Sequence, residues 1–222
     1  MTISKSLKYI PLAFLLFGGS AVYGMKNGLP WKKKAVAYEI ENILEDRYHE
    51  AFIIHKQYKN PHTGDYGIIV SSKGNTGLTF KGEKNRLLNE VQDDYMPQKW
   101  LGQFHTELDE GLTKLNPQMT TLKVNVKGGL RYYMKNQTNR SYSESNALFT
   151  VIFMTDRKLN NDNKLWNQID KTAIYLQNHV ENANLIYRFE GQKEISCKSE
   201  QVNMVQNKGD AKKMCVFQKS TK

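Results

Sequence analysis

Apolar and polar positions alternate in two different periods along this chain, and the period changes several times. From Pro30 onward, Val36, Ile40, Ile43 and Tyr48 recur near helical spacing. Leu44 widens the stripe, acids fall on the other side, and Pro30 suits a first helical turn. AFIIHKQY and YGIIVSS are short β-rich runs. Between them, Asn60-Pro61 and Gly64-Asp65 spell a turn; SKGNTG spells a second, and GLTF opens a third strand. DDYMPQKWLGQFHTELDEGLTKLNP then reads as a long helix with Trp100, Leu101, Phe104, Leu108, Leu112 and Leu115 on one face. Asp93 or Asp94 can cap it, Pro97 falls in its first turn, and Asn116-Pro117 stops it.

MTTLKVNVK alternates strictly, with Leu122, Val124 and Val126 against Lys123, Asn125 and Lys127, as a half-buried strand does. GGLRYYMKNQTNRSYSESN is polar with a small aromatic cluster, a loop or short helix. ALFTVIFM reads as a buried strand. A third helix follows from Asn160, with Leu165, Trp166, Ile169, Ala173, Leu176 and Val180 on one stripe. NLIYRFEG, EISCKS and KKMCVFQ are three further strands. A helix followed by three strands thus occurs at 33–82 and again at 160–218, without residue-level identity between the copies. The predicted fold class is α+β: an N-terminal membrane helix followed by two helix-plus-antiparallel-sheet modules. The expected divisions are 1–31, 32–117 and 118–222.

The N-terminal segment reads KYIPLAFLLFGGSAVYGMKNGLPWKKK, and Tyr9 to Met25 carries no charge. That length is at the short end for a membrane span. The expectation is a single-pass cell-membrane protein attached through residues 9–25, a signal-anchor with the main domain outside. Lys5, Lys8, YIPLAFLLF and Gly19-Ser20-Ala21 also fit a cleaved export signal, which gives a secreted protein as the alternative. Trp31 suits an interface, and Lys26 with Lys32, Lys33 and Lys34 can meet anionic headgroups. Those lysines outnumber Lys5 and Lys8, and taken alone they favour the inside. The outward orientation rests on the signal-like segment and on the two cysteines.

The first half also resembles a known group. NGLPWKKKAVAYEIENILEDRYHEAFIIHKQY, DYGIIVSSKGNTGLTF and DDYMPQKWLGQF together are similar to the YfjL-like group of small bacterial proteins, over about residues 25–105. The resemblance implies membrane attachment and a fold. It implies no activity and no functional residues.

Composition narrows the function without fixing it. Hydrophobic residues make up 39% and aromatics 11%, a globular balance. The net charge of +10 serves solubility, or suits anionic neighbours such as a lipid surface or a wall polymer, and a neighbouring membrane protein is a further expected partner. The basic residues are scattered among acids with no Arg-rich run, which argues against nucleic acid. Cys197 and Cys215 lie in strand-like runs with Asn207, Gly209 and Asp210 between them. A hairpin can join them as a disulfide in an oxidising compartment; two buried thiols are the alternative.

Catalytic signatures are missing. His49-Glu50 places His55 too far along for a zincin, and His105 with Asp109 is an ordinary i, i+4 pair. No Gly-x-Ser-x-Gly elbow and no P-loop occurs, and Asp93-Asp94 and Asp109-Glu110 suit helix positions better than acid–base work. No metal and no cofactor is expected. The candidate binding surface is Arg131, Tyr132, Tyr133, Lys135, Arg140 and Tyr142, a basic-aromatic mixture that could meet an anionic polymer, a sugar, a peptide or a lipid headgroup layer. The alternative is a loop that tucks its tyrosines under the sheet. The reading is a non-enzymatic extracytoplasmic binding, sensing or accessory domain. The alternative is a secreted or anchored hydrolase whose site is not local in sequence, with His55, His105 and nearby acids as first suspects.

Overall fold

The computed structural model describes residues 29–127, 141–145, 147–158, 163–191 and 193–219. The chain divides into two units between Tyr95 and Met96. The long helix that the sequence groups with the first module therefore falls almost wholly in the second unit.

In the first unit, helix α1 (Pro30–Tyr48) buries Ala37, Ile40 and Leu44, while Val36 and Ile43 stay half-buried at the flanks. It lies on a four-stranded antiparallel meander: β1 (Phe52–Lys59), β2 (Tyr66–Ser72), β3 (Asn75–Asn85) and β4 (Glu90–Asp93), in that order. The alternation of strand residues puts Phe52, Ile68, Val70, Phe80 and Val91 into the core. The helix packs tightly over Gly82 on β3. A Cβ there would sit 3.0 Å from Ile40 Cγ2 and 3.2 Å from Leu44 Cδ1. At the far end, Arg47 pairs with the buried Asp93 and donates to the Val91 carbonyl at 3.0 Å, and Tyr48 donates to Asp93 at 2.7 Å. Tyr48, Phe52, Phe80 and Tyr95 form one ring cluster with centroids 4.5–6.4 Å apart.

The second unit holds α2 (Tyr95–Leu115), β5 (Thr121–Lys127), a 3₁₀ turn (Tyr142–Glu144), β6 (Leu148–Met154), α3 (Asn163–Gln177), β7 (Asn182–Phe189) and β8 (Lys193–Cys197). Two short helices, α4 (Ser199–Met204) and α5 (Asp210–Met214), precede β9 (Val216–Lys219). The strands form one sheet in the order β5-β6-β7-β8-β9. One of its faces collects Val124, Phe149, Val151, Phe153, Leu185, Tyr187 and Ile195, all buried. Against it lie the α2 stripe Trp100, Phe104, Leu108 and Leu112, and the α3 stripe Leu165, Trp166, Ile169, Ala173 and Leu176. Phe104 stacks on Phe149 at 5.2 Å and Phe153 on Tyr187 at 5.1 Å. Each fully buried side chain of this size contributes roughly 1.5–3 kcal/mol.

The expected fold class needs two corrections. Among the described residues no helix is long and apolar enough to cross a membrane. Every described helix carries charged residues along its length, so none has the continuous apolar surface a span requires. The described residues therefore form two α+β units, and the expected membrane helix and signal-anchor are not among them. The segment Tyr9–Met25, for which they were expected, lies outside the described residues. The second sheet is also mixed where an antiparallel sheet was expected. β6 and β7 run parallel, Leu148 opposite Asn182 through Met154 opposite Arg188, because the chain crosses over through α3 and returns in the same direction.

Candidate functional site

The second unit has a cavity of about 310 Å³ at the carboxyl ends of the two parallel strands. Crevices form at this place because strand ends and the start of the crossover helix leave space that no side chain of the sheet fills. Thr155 follows β6, Phe189 ends β7, and Lys164, Leu165 and Gln168 come from the first turns of α3. Gln118 and Met119 enter from the loop before β5. Backbone bonds hold this end together: Thr155 N donates to the Arg188 carbonyl at 3.1 Å, and Glu190 N to the Arg157 carbonyl at 3.1 Å.

The lining divides by chemistry. Leu165 and Phe189 are buried and Met119 half-buried, which makes an apolar floor. Arg157, Lys158 and Lys164 are exposed around the rim. Among the described residues, no carboxylate pairs with any of these three cations. Three positive charges around a partly apolar recess attract a small anion.

Gln168 connects the cavity to a buried polar network. Its amide donates to Asn116 Oδ1 at 2.9 Å. Asn116, 1% exposed, also donates to the Leu112 carbonyl at 2.8 Å and to Thr172 Oγ1 at 3.0 Å, and it accepts from the Tyr187 hydroxyl at 2.6 Å. Burial pushes the Tyr187 phenol well above its ordinary range, so it remains a donor. Every polar atom of the Asn116 amide that the core encloses has a partner. The asparagine that stops α2 thus also fixes the side chain on the cavity wall.

The C-terminal part is fastened separately. Asp170, 2% exposed, accepts from Gly209 N at 2.7 Å and Ala211 N at 2.8 Å, anchoring the start of α5. Gly209 has φ +93°, a conformation that suits glycine. Cys197 and Cys215 are joined by a disulfide that closes this segment, with a Cα–Cα distance of 4.5 Å.

The candidate surface from the sequence falls mostly out of view: Arg131, Tyr132, Tyr133, Lys135 and Arg140 lie outside the described residues. Tyr142 is described, and it is 3% exposed. Its ring meets Phe104 and Phe149, and its hydroxyl donates to Glu107 at 2.8 Å. Burial raises its pKa, and Glu107 adds to the shift. Tyr142 is a core side chain.

His55 and His105, the two histidines suspected from the sequence, have separate partners. His55 contacts Ser71 Oγ at 2.8 Å, but Ser71 is 0% exposed and no carboxylate among the described residues orients the ring. His105 Nδ1 contacts Asp109 at 2.8 Å on the surface of α2. Among the described residues no group of three or more His, Cys, Asp or Glu side chains is placed to hold a metal ion.

No family model matches this chain, and no curated protein matches it. The YfjL-like resemblance accordingly finds no matching family model. Among solved structures, the chain is similar to a DUF5037 family protein from Ruminococcus gnavus, with a TM-score of 0.39 and 14% identity, over 79% of this chain and 83% of that one. The likeness is too remote to carry any argument about function.

The cavity residues were not visible in the sequence. They come from four separate stretches, between residues 118 and 189, and share no spacing. The one legible trace is the run Asp156-Arg157-Lys158 just after the buried strand, where a βα connection begins.

Proposed function

We propose that this protein is a non-enzymatic extracytoplasmic binding domain whose second unit takes up a small anion at the carboxyl ends of β6 and β7. The observation that carries the reading is the cationic rim of Arg157, Lys158 and Lys164 over the Leu165–Phe189 floor. Gln168, held by Asn116, supplies a fixed amide for orientation. An apolar floor with a charged rim suits an organic phosphate or carboxylate better than a bare ion. The Cys197–Cys215 disulfide supports the oxidising compartment, as does the export-like make-up of Lys5, Lys8 and YIPLAFLLF.

The test is thermal unfolding with and without inorganic phosphate, and with small phosphorylated and carboxylated organic acids. A ligand at a hundredfold its dissociation constant adds about 2.7 kcal/mol of stability. Arg157→Gln with Lys164→Gln should remove that gain while leaving the unliganded melting temperature within a degree or so, because both side chains are exposed. Stabilisation that persists in the double variant, or none by any anion, sinks the proposal. Location is read by alkylating intact cells: thiols that label readily place the domain in a reducing compartment.

A further inference from the structure

One end of the first unit gathers features that its stability does not explain. α1 begins there with Leu29 and Trp31 exposed at 40% and 69%. Lys32, Lys33 and Lys34 occupy its first turns, and no acid does. Cations at a helix amino terminus oppose the macrodipole, so this placement works against the helix.

The sheet brings a second group to the same end. Lys32 Nζ lies 5.8 Å from the Tyr66 ring centroid, and Tyr66 opens β2 opposite Lys84 of β3. Lys84 pairs with Glu39 of α1, and β3 then turns into β4 through Arg86, Leu87, Leu88 and Asn89. Leu87 is 88% exposed and Leu88 48%. The turn is built to display them. Asn85 Oδ1 accepts from Leu87 N and Leu88 N, each at 2.9 Å, and Asp65 accepts from Arg86 N at 2.9 Å. Asn89 closes the turn at φ +54°.

The acids at this end are mostly engaged. Asp65 holds the turn, Glu39 pairs with Lys84, and Glu83 accepts from Tyr58 at 2.7 Å; Glu90 is exposed. What faces solvent is two leucines on a hydrogen-bonded tip, a tryptophan, and a surplus of cations. Aromatic and aliphatic side chains beside lysines are the combination that enters a headgroup layer.

We propose that this end of the first unit is a docking face for an anionic lipid bilayer, with Leu87 and Leu88 as the inserting tip and Lys32, Lys33, Lys34 and Arg86 against the headgroups. The inference is independent of the anion cavity. It requires no spanning helix, and it holds on either side of a membrane.

The experiment uses the full chain carrying Trp31→Phe and Leu87→Trp, which moves the exposed indole to the tip; Trp100 and Trp166 are buried. Vesicles of phosphatidylglycerol and phosphatidylcholine, containing lipid brominated near the glycerol backbone, should blue-shift and quench the tip indole. Vesicles of phosphatidylcholine alone should do so much less. Lys33→Gln and Arg86→Gln should each lower the tip signal's apparent vesicle affinity by about fivefold. A tip indole that stays unquenched while the protein co-sediments with the vesicles overturns the proposal. So does sedimentation showing a dimer that Leu87→Asp dissolves, since the tip would then be covered by a second copy.

Discussion

Reduction of the Cys197–Cys215 disulfide should destabilise the second unit by about 3 kcal/mol. The two cysteines are 18 residues apart, and cross-linking a loop of that size removes about 11 cal/mol/K of entropy from the unfolded chain, or about 3 kcal/mol at 25 °C. The native state loses little, because the enclosed segment has other fastenings. Asp170 holds Gly209 and Ala211, Gln177 donates to the Val205 carbonyl at 2.8 Å, and Val202, Val205 and Ala211 are buried. Reduction is a cleaner perturbation than substitution: Cys197 is 0% exposed, and truncating it would add a cavity term. For a unit of this size the loss corresponds to a fall in melting temperature of roughly 10 °C. The assay is thermal unfolding by circular dichroism, oxidised and reduced, with thiol titration under denaturing conditions before each scan. Oxidised protein should titrate no thiol. If the fully reduced protein melts at the same temperature, the unfolded-state argument is refuted. If oxidised protein titrates two thiols, the bond itself is.

Three further outcomes follow from packing and charge. Asp170→Ala leaves two N–H groups, that of Ala211 buried and that of Gly209 half-buried, without their carboxylate and should cost about 2–3 kcal/mol, read by urea denaturation, with amide exchange accelerated first at Gly209 and Ala211. Gly82→Val forces a side chain against Ile40 and Leu44 and should destabilise the first unit by about 1–3 kcal/mol, with Gly82→Ala losing less; chemical denaturation reads both. The phenols of Tyr48, Tyr58, Tyr95, Tyr142 and Tyr187 are all raised by burial. Their folded pKa values lie above the unfolded value of about 10, so their contribution is complete below pH 10 and is lost as the pH rises beyond it. Tyrosinate absorbance should show these five ionising together with loss of near-ultraviolet dichroism, not before it.

Period was the legible signal. The strand MTTLKVNVK and the stripes of α2 and α3 carry enough repeats to declare themselves: the structure buries Val124 and most of both stripes, and leaves Leu122, Val126, Leu101 and Leu115 half-buried. β4 carries no such signal: it has four residues and one apolar position, Val91, and exists because β3 offers it an edge. α4 and α5 have six and five residues, too few to show a period. They are held by Lys198 N donating to Gln201 at 2.8 Å and by the Asp170 contacts, and one of those partners is distant in sequence. The direction of β7 relative to β6 has no local mark, since strand residues are the same in either orientation. Tyr142 was misleading for a related reason. A tyrosine in a polar stretch resembles a surface aromatic, and only Phe104 and Phe149 from other elements make its position a core one.

The parallel pairing of β6 with β7 also sets an order of events. The first sheet is a meander whose neighbours in space are neighbours in the chain, so each strand finds its partner as soon as it is made. In the second sheet β6 must wait for the whole of α3 before β7 exists. Contacts between residues distant in sequence form slowly, and a chain made from its amino terminus folds in the order in which its parts emerge. LFTVIFM therefore passes through synthesis with β5 on one edge and nothing on the other, an interval in which an apolar strand edge is open to aggregation.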